Sequence, residues 1–127
     1  MAGTESLTMS RQDLDFLLYD WLAVDRLVER ERFAAHSRET FDAVLDLGAT
    51  IAEERFVAAN RVADVEEPWM GDDGRIRLPK ATHDAVAAYL ASGLSAAIFD
   101  QELGGHQLPV TVHSAVSLWF QAASTSI

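Results

Sequence analysis

The chain has 127 residues, a formal net charge of −10 and no cysteine. This length permits one domain with a single core, and the missing cysteines exclude disulfides, thiolate zinc sites and thiol nucleophiles. The acidic balance excludes nucleic-acid binding through a basic stripe, and no apolar run approaches the roughly 18 residues of a membrane span. The first residues lack the basic and apolar regions of a secretion signal, so we predict a cytoplasmic protein.

Charge is unevenly distributed along the chain. Every lysine and arginine lies at or before Lys80, and the acidic residues after it are only Asp84, Asp100 and Glu102. A small domain normally spreads charge over its whole surface. We therefore expect the stretch from Ala81 to Ile127 to be covered by other protein, in a larger object of which this chain is a part.

The first third predicts a short helix and a connector. Residues 1–9 are small and polar and are expected to be flexible. Ser10 is typical of a helix N-cap, and the helix is predicted to run to about Trp21, with an extended segment as the alternative. Residues 24–35 suggest a helical turn leading into a connector. Five apolar residues fall on one face of the first helix: Leu14, Leu17, Leu18, Trp21 and Leu22.

The middle of the chain carries the strongest helical periodicity. Ser37 is the expected cap of a long amphipathic helix over residues 38–61. Its predicted apolar face consists of Phe41, Val44, Leu45, Leu47, Ile51, Phe56 and Val57. Asp73-Gly74 then predicts a tight turn between two short extended pieces.

Two further helices are predicted beyond the turn. Pro79 suits the first turn of one helix, which Gly93 ends or kinks. Gly104-Gly105 predicts a change of chain direction, and Pro109 begins a last helix that is apolar nearly all round and is expected in an interior. The sequence therefore predicts an all-α fold of four to five helices with a short extended connector. The three tryptophans, Trp21, Trp69 and Trp119, are expected to be core or interface anchors, with Trp69 as the candidate exception because it lies in a loop between Pro68 and Met70.

The residues do not predict a catalytic or metal site. His106 and His113 are seven residues apart with Pro109 between them and lack a carboxylate at helical ligand spacing, so no metal is expected. The acidic residues lie on polar helix faces that give no burial to raise a carboxylate pKa. These residues are Asp13, Asp15, Asp20, Glu53 and Glu54. The hydroxyls of residues 124–126 have no histidine at a motif spacing.

The segment from Asp100 to Pro109, DQELGGHQLP, resembles the turn between two core helices in the N-terminal helical domain of acyl-CoA dehydrogenases. Further segments are similar in the same order to the branch that includes 3-methylmercaptopropionyl-CoA dehydrogenases. They are Arg11 to Leu22, the helix end Ala59-Asn60-Arg61, the turn before Pro79, and Ala91-Ser92-Gly93-Leu94. The resemblance covers residues 10–127. The chain departs from it where the family turn carries proline, an aromatic residue and a third glycine, and this chain has Gln101, Leu103 and Gln107.

The resemblance implies a part in an FAD-dependent oxidation of an acyl-CoA thioester. Family members add a β-barrel domain that holds much of the flavin and a helical bundle that supplies a glutamate base. This chain matches only the first domain, incomplete at its C-terminal end, so no catalytic or cofactor-binding residue is expected within it. The resemblance places three residues near the acyl tail: Phe120, Ser124 and Ile127.

Three interpretations remain open from the sequence. The chain is a fragment of such an enzyme, or a small subunit that pairs with a flavoprotein lacking this domain, or a non-enzymatic binding protein derived from the domain. The first two imply that acyl-CoA and FAD bind only in the complete enzyme. The third implies a homo-oligomer that buries the apolar last helix, around Trp119, against a second copy.

Overall fold

The computed structural model describes residues 8–127, of which the larger part is helical. Over those residues, five α-helices and a two-stranded hairpin follow one another, with 65% helix and 3% strand. This confirms the predicted all-α class and the extended connector. None of the helices in this part of the chain has the length and apolar character needed to cross a membrane.

The amino-terminal segment lies on the long central helices. The prediction of flexibility for residues 1–7 falls outside the described residues. Thr8 donates a hydrogen bond from Oγ1 to Glu53 Oε1 at 3.2 Å, and Met9 packs against the core. Thr8 and Met9 therefore contact the folded part of the chain, and flexibility of residues 1–9 stays a prediction.

The first helix has two parts, α1 (Arg11–Asp15) and a π-helical turn (Phe16–Trp21). Ser10 Oγ accepts a hydrogen bond from Asp13 N at 3.2 Å, which confirms the predicted cap. The helix ends where the sequence predicted, at Trp21, and the extended alternative is wrong. The 3₁₀ turns Val24–Glu29 and Glu31–Phe33 then form the predicted connector.

The predicted apolar face of the first helix is wrong in its second half. Leu14 and Leu18 are buried, but Leu17, Trp21 and Leu22 are exposed. The cause is the π turn, in which Leu22 N donates to Leu17 O, five residues back, at 3.0 Å. This wider turn shifts the side chains away from α-helical positions. Tyr19, inside the π turn, and Val24, after it, are buried instead.

The long amphipathic helix is confirmed over its whole predicted length. It consists of α2 (Arg38–Ile51), a π turn (Ala52–Phe56) and α3 (Val57–Ala63). Ser37 caps it through a reciprocal pair of hydrogen bonds with Thr40. Of the predicted face, Phe41, Leu45 and Phe56 are buried, whereas Leu47 is exposed.

An ionic network holds the first helix against α2. The Arg11 guanidinium contacts Asp15 at 2.7 Å, Asp42 at 3.1 Å and Asp46. Tyr19 Oη donates to Asp42 Oδ1 at 2.6 Å, and the Arg38 guanidinium carbon lies 3.9 Å from the centre of the Tyr19 ring. The network therefore joins polar groups of both helices around one tyrosine.

Replacing Tyr19 by phenylalanine is expected to change how stability depends on pH. Burial raises the pKa of the Tyr19 phenol above its ordinary value of 10.0, and the hydrogen bond to Asp42 raises it further. Above pH 10 the unfolded chain releases this proton while the folded chain keeps it, so the free energy of unfolding falls as pH rises. Below pH 10 both states are protonated and the contribution is constant.

Urea unfolding of both proteins at about pH 7 and at several values above about pH 10 checks this. At neutral pH the loss of the hydrogen bond should cost Tyr19→Phe about 1 kcal/mol. In the alkaline range the wild type should lose stability more steeply than the variant. Parallel curves for the two proteins throughout the range would contradict the assigned hydrogen bond.

The predicted tight turn is a hairpin of β1 (Trp69–Met70) and β2 (Ile76–Arg77). The strands are antiparallel, Trp69 lies opposite Arg77, and Gly74 has a φ of 75° at the turn. Trp69 is 56% exposed, so it is not the core anchor that the sequence allowed.

Helix α4 (Lys80–Ala91) follows Pro79 and ends before Gly93, whose φ is 80°. Helix α5 (Val110–Ala123) follows Pro109. Both predicted beginnings are therefore confirmed.

Helix α5 forms the centre of the core. Its inner face packs on α2, and Trp119 is only 1% exposed. At the point of contact, a Cβ on Gly48 would lie 2.6 Å from Val116 Cγ1, so the helices approach closely because this residue is glycine. Trp119 therefore belongs to the core of this chain and is not an interface anchor. The outer face of α5 is exposed at Val110 and Leu118, so the interior position predicted for the helix holds for one face only.

Candidate functional site

Three aromatic side chains from three helical segments form a cluster beside α5. Phe120 of α5 lies 4.9 Å from Phe56 and 5.0 Å from Tyr89, measured between ring centres, and Phe56 lies 6.5 Å from Tyr89. All three pairs are edge-to-face, with interplanar angles of 73–76°. Such pairs stabilise beyond the area that they bury. The cluster therefore packs Phe120 of α5 against two other helical segments.

A groove of about 230 Å³, here called the aromatic groove, opens over this cluster. Its lining consists of Phe56, Val86, Tyr89, Ser117, Phe120, Gln121 and Ile127. None of these described lining residues is charged. The Ser117 hydroxyl already donates to His113 O at 3.0 Å. The groove can therefore take an apolar chain or ring, and it offers no charge to bind an ionised group.

The structure brings two of the three predicted pocket residues together. Phe120 and Ile127 both line the aromatic groove. Ser124 is buried and lies apart from that lining, with Ser124 Oγ donating to Asn60 Oδ1 at 2.9 Å. Ser126 Oγ also donates to Asn60 Oδ1, at 3.4 Å. These bonds tie the end of the chain to α3, so Ser124 positions the segment that carries Ile127. A substrate role for the three residues stays a prediction.

Sequence reasoning missed the partners of Phe120 across the groove. Phe56 lies in the π turn before α3, whereas Val86 and Tyr89 lie on α4, and only the fold brings these two segments together with Phe120. The one available signal was helical spacing, because Val86 and Tyr89 are three residues apart and share a helix face. That spacing is equally typical of a core stripe, and it does not identify a groove.

The glycine turn sets the position of α5. Gly104 has a φ of 82°, and Gly105 is buried so tightly that a Cβ on it would lie 2.1 Å from Phe99 O. Backbone hydrogen bonds close the turn, with Leu108 N donating to Ala97 O at 2.8 Å and Gln107 N donating to Phe99 O at 2.9 Å. The turn therefore has little freedom to adopt another shape.

Gln107 has a φ of 50°, in the left-handed region that favours glycine. Its side chain holds the turn to the connector, because Gln107 Nε2 donates to Arg32 O at 2.9 Å. Arg32 also pairs with Asp100 at 2.7 Å. The strained backbone thus coincides with a contact between two distant segments.

The side chain of His36 stabilises the glycine turn through contacts with backbone carbonyl groups. His36 Nε2 lies 2.8 Å from His106 O and 3.1 Å from Gln107 O, so it serves as the donor. His106 is exposed and His113 is half-buried. Within residues 8–127, no group of three or more metal-ligating side chains lies close enough to hold an ion.

The candidate carboxylates lie apart from the aromatic groove. Asp15 is paired with Arg11, and Glu53 accepts the hydrogen bond from Thr8. Asp20 and Glu54 are exposed. The groove lining contains no acid or base, so its own residues can bind and exclude water but cannot remove a proton.

Comparison with known proteins identifies no relative. No family model matches the chain, and neither the curated proteins nor the solved structures contain a match. The functional interpretation therefore depends on the residues and their geometry.

Proposed function

We propose that this chain acts as the N-terminal helical domain of an FAD-dependent acyl-CoA dehydrogenase-like protein, in the cytoplasm, and forms one wall of the acyl pocket. It is inactive alone. A flavoprotein partner or the remaining domains supply FAD and the base that removes the α-proton of the thioester. The aromatic groove supplies apolar contacts to the acyl tail through Phe120 and Ile127.

The observation that carries the proposal is the backbone at Gln107. In the acyl-CoA dehydrogenase turn that this segment resembles, the residue at this position is the third glycine. Here the residue is glutamine, yet its φ of 50° is one that glycine adopts without strain. The cost for a non-glycine residue is about 1 kcal/mol or more. The backbone at Gln107 has a conformation typical of glycine, although the residue is not glycine. This supports descent from a turn that had glycine at this position.

The chemistry of the aromatic groove supports the same role. An acyl tail is apolar and needs a lining without unpaired charge, because burying a charge without a partner is costly. The described residues that line the aromatic groove are uncharged, so they meet this requirement. FAD, in contrast, carries a pyrophosphate that needs cationic or backbone N–H groups. The lining offers no such cationic side chain, which supports assigning the flavin to the partner.

Phe120→Ala tests the acyl-pocket role in the assembled enzyme. The variant should lower kcat/KM for a long-chain acyl-CoA by about 10-fold, because the loss of apolar contact in a substrate pocket costs about 1–3 kcal/mol. A short-chain acyl-CoA, whose tail ends before the groove, should be affected much less. Turnover is measured by reduction of an artificial electron acceptor.

Val110→Ala is the matched control, since Val110 lies on the exposed face of the same helix. It should leave both substrates unchanged. Equal losses for long and short acyl chains in Phe120→Ala, or no loss for either, would contradict the assignment of the groove.

The alternative function is a homo-oligomeric binding protein derived from this domain. It is favoured by one observation, the exposure of three large apolar side chains on the first helix, among them Trp21, and of Leu22 directly after it. The two functions are compatible if the partner surface and the self-association surface are different.

A further inference from the structure

The wall of the aromatic groove that Ile127 forms differs from the other walls. Ile127 lies beyond the end of α5 at Ala123, in a segment that is not helical. Every other described lining residue lies on a helical segment: Phe56 in the π turn, Val86 and Tyr89 on α4, and Ser117, Phe120 and Gln121 on α5. Packing between helices holds those residues in place. Ile127 is therefore the part of the described lining that a local change can move.

The segment of residues 124–127 has few backbone contacts. Ser124 N donates to Phe120 O at 2.9 Å, and the backbone of Ser124 is then extended, with a φ of −163° and a ψ of 119°. Residues 125–127 make no backbone hydrogen bond to another described backbone group. The position of Ile127 therefore depends on side-chain contacts.

Asn60 supplies the polar contacts of this segment. Its Oδ1 accepts hydrogen bonds from Ser124 Oγ at 2.9 Å and from Ser126 Oγ at 3.4 Å. A carboxamide oxygen has two lone pairs and can accept both. Ser124 is buried, so its hydroxyl would cost free energy without this acceptor. Asn60 lies four residues after Phe56 in the long helix, so the acceptor and one wall of the groove belong to the same element.

The held position of Ile127 limits the space in the aromatic groove. Ile127 is half-buried and packs against the core. A ligand that fills the groove of about 230 Å³ meets its side chain. Each methylene that is buried raises the affinity of an apolar ligand about 4-fold. A fixed wall therefore sets the chain length at which the affinity stops rising, here called the limiting length.

We propose that Asn60 is a positioning residue that sets the limiting length of the apolar ligand in the aromatic groove. It does so by holding residues 124–127, so that Ile127 closes the groove. The ligand class is an uncharged, straight-chain apolar tail. This inference rests on the proposed function for that class, and it adds the residue that restricts the length of the tail.

The full chain, labelled at its isoleucine methyl groups and titrated with a series of straight-chain 1-alkanols in NMR experiments, tests the role of the wall. In the wild type the affinity should rise about 4-fold with each methylene up to the limiting length. At that length the methyl resonance of Ile127 should shift. Ile76 is the matched control, since it is exposed on the hairpin and its resonance should not change. An affinity that does not depend on length, or an unshifted Ile127, would overturn the proposal.

Variants at the hydrogen bonds test the role of Asn60. Asn60→Leu is similar in size and lacks the acceptor, so alkanols beyond the wild-type limit should bind at least about 10-fold tighter than to the wild type, because about two more methylenes are buried. The double variant Ser124→Ala/Ser126→Ala should have the same effect with Asn60 in place. Asn60→Asp keeps an oxygen acceptor and should keep the wild-type limit.

An unchanged limiting length in the double variant, or a longer limit in Asn60→Asp that equals that of Asn60→Leu, would overturn the role of Asn60. The double variant decides the question even where Asn60→Leu does not fold. All of these titrations use the chain without flavin. They can therefore fail while a flavoprotein partner is found, and they can succeed where none exists, so the two proposals are tested separately.

Discussion

Gly105→Ala should lower the free energy of unfolding by about 3 kcal/mol or more. The new Cβ would lie 2.1 Å from Phe99 O and 2.7 Å from Ala96 O. Both are backbone atoms, and backbone carbonyls from this stretch also close the turn through Leu108 and Gln107. The chain cannot move them aside without breaking those hydrogen bonds, so the turn and the start of α5 must shift together.

Gly104→Ala is the matched control for this prediction. Gly104 has a φ of 82°, but a Cβ there meets no atom within 4 Å. Its cost is conformational strain alone, about 1 kcal/mol. The free energies of unfolding of the two variants, measured by denaturant unfolding, should therefore differ clearly. Equal destabilisation would mean that strain, and not the steric conflict with Phe99, dominates at both glycines.

Trp119→Ala should lower the free energy of unfolding by about 3–5 kcal/mol, the usual cost of truncating a large buried aromatic residue. Trp119 is 1% exposed and packs in the core between α5 and α2. For a domain of this size, such a loss is a large fraction of the total stability. Thermal unfolding followed by circular dichroism measures it.

Trp119→Phe separates two contributions at the same position. Among the described residues, the buried Trp119 Nε1 has no hydrogen-bond partner, and such a donor costs about 1–3 kcal/mol. Phenylalanine removes this donor and keeps most of the ring, so its cost should be far below that of alanine. Trp69→Ala, at an exposed position, should change stability by less than about 0.5 kcal/mol. Equal stability of Trp119→Ala and Trp69→Ala would contradict the assigned core.

Much of the fold could be predicted because its helix ends use strong local signals. Ser37 caps the long helix with its own hydroxyl, and Gly93 adopts a positive φ that few other residues tolerate. Pro79 and Pro109 precede helices because proline fits their first turn. Each of these signals depends on neighbouring residues alone, so the sequence contains it.

The error on the first helix arises where that helix departs from 3.6 residues per turn. Leu17 and Trp21 were assigned to the core by α-helical spacing, but the π turn places them in solvent. The error at Leu47 has a different cause, since this residue lies in the regular helix α2, where the neighbouring Gly48 occupies the close contact with α5. A π turn has no distinctive residue pattern here, so the spacing alone could not indicate it.

The candidate site could be predicted only at the residues that the resemblance places near the acyl tail. Phe120 and Ile127 were named from that resemblance, whereas Phe56 and Tyr89 join them through tertiary packing. Ser124 was named with them, and its bond to Asn60, 64 residues away, has no local signature. Long-range side-chain partners of this kind are decided by the assembled fold.

The visible absorbance spectrum of material recovered with the tagged wild-type chain from its source organism tests the proposed assembly with a flavoprotein. We expect a stoichiometric yellow partner whose flavin absorbance is bleached when an acyl-CoA is added, because electrons would pass from the thioester to FAD. Recovery of this chain alone, as a colourless oligomer, would contradict the role in an acyl-CoA dehydrogenase-like protein.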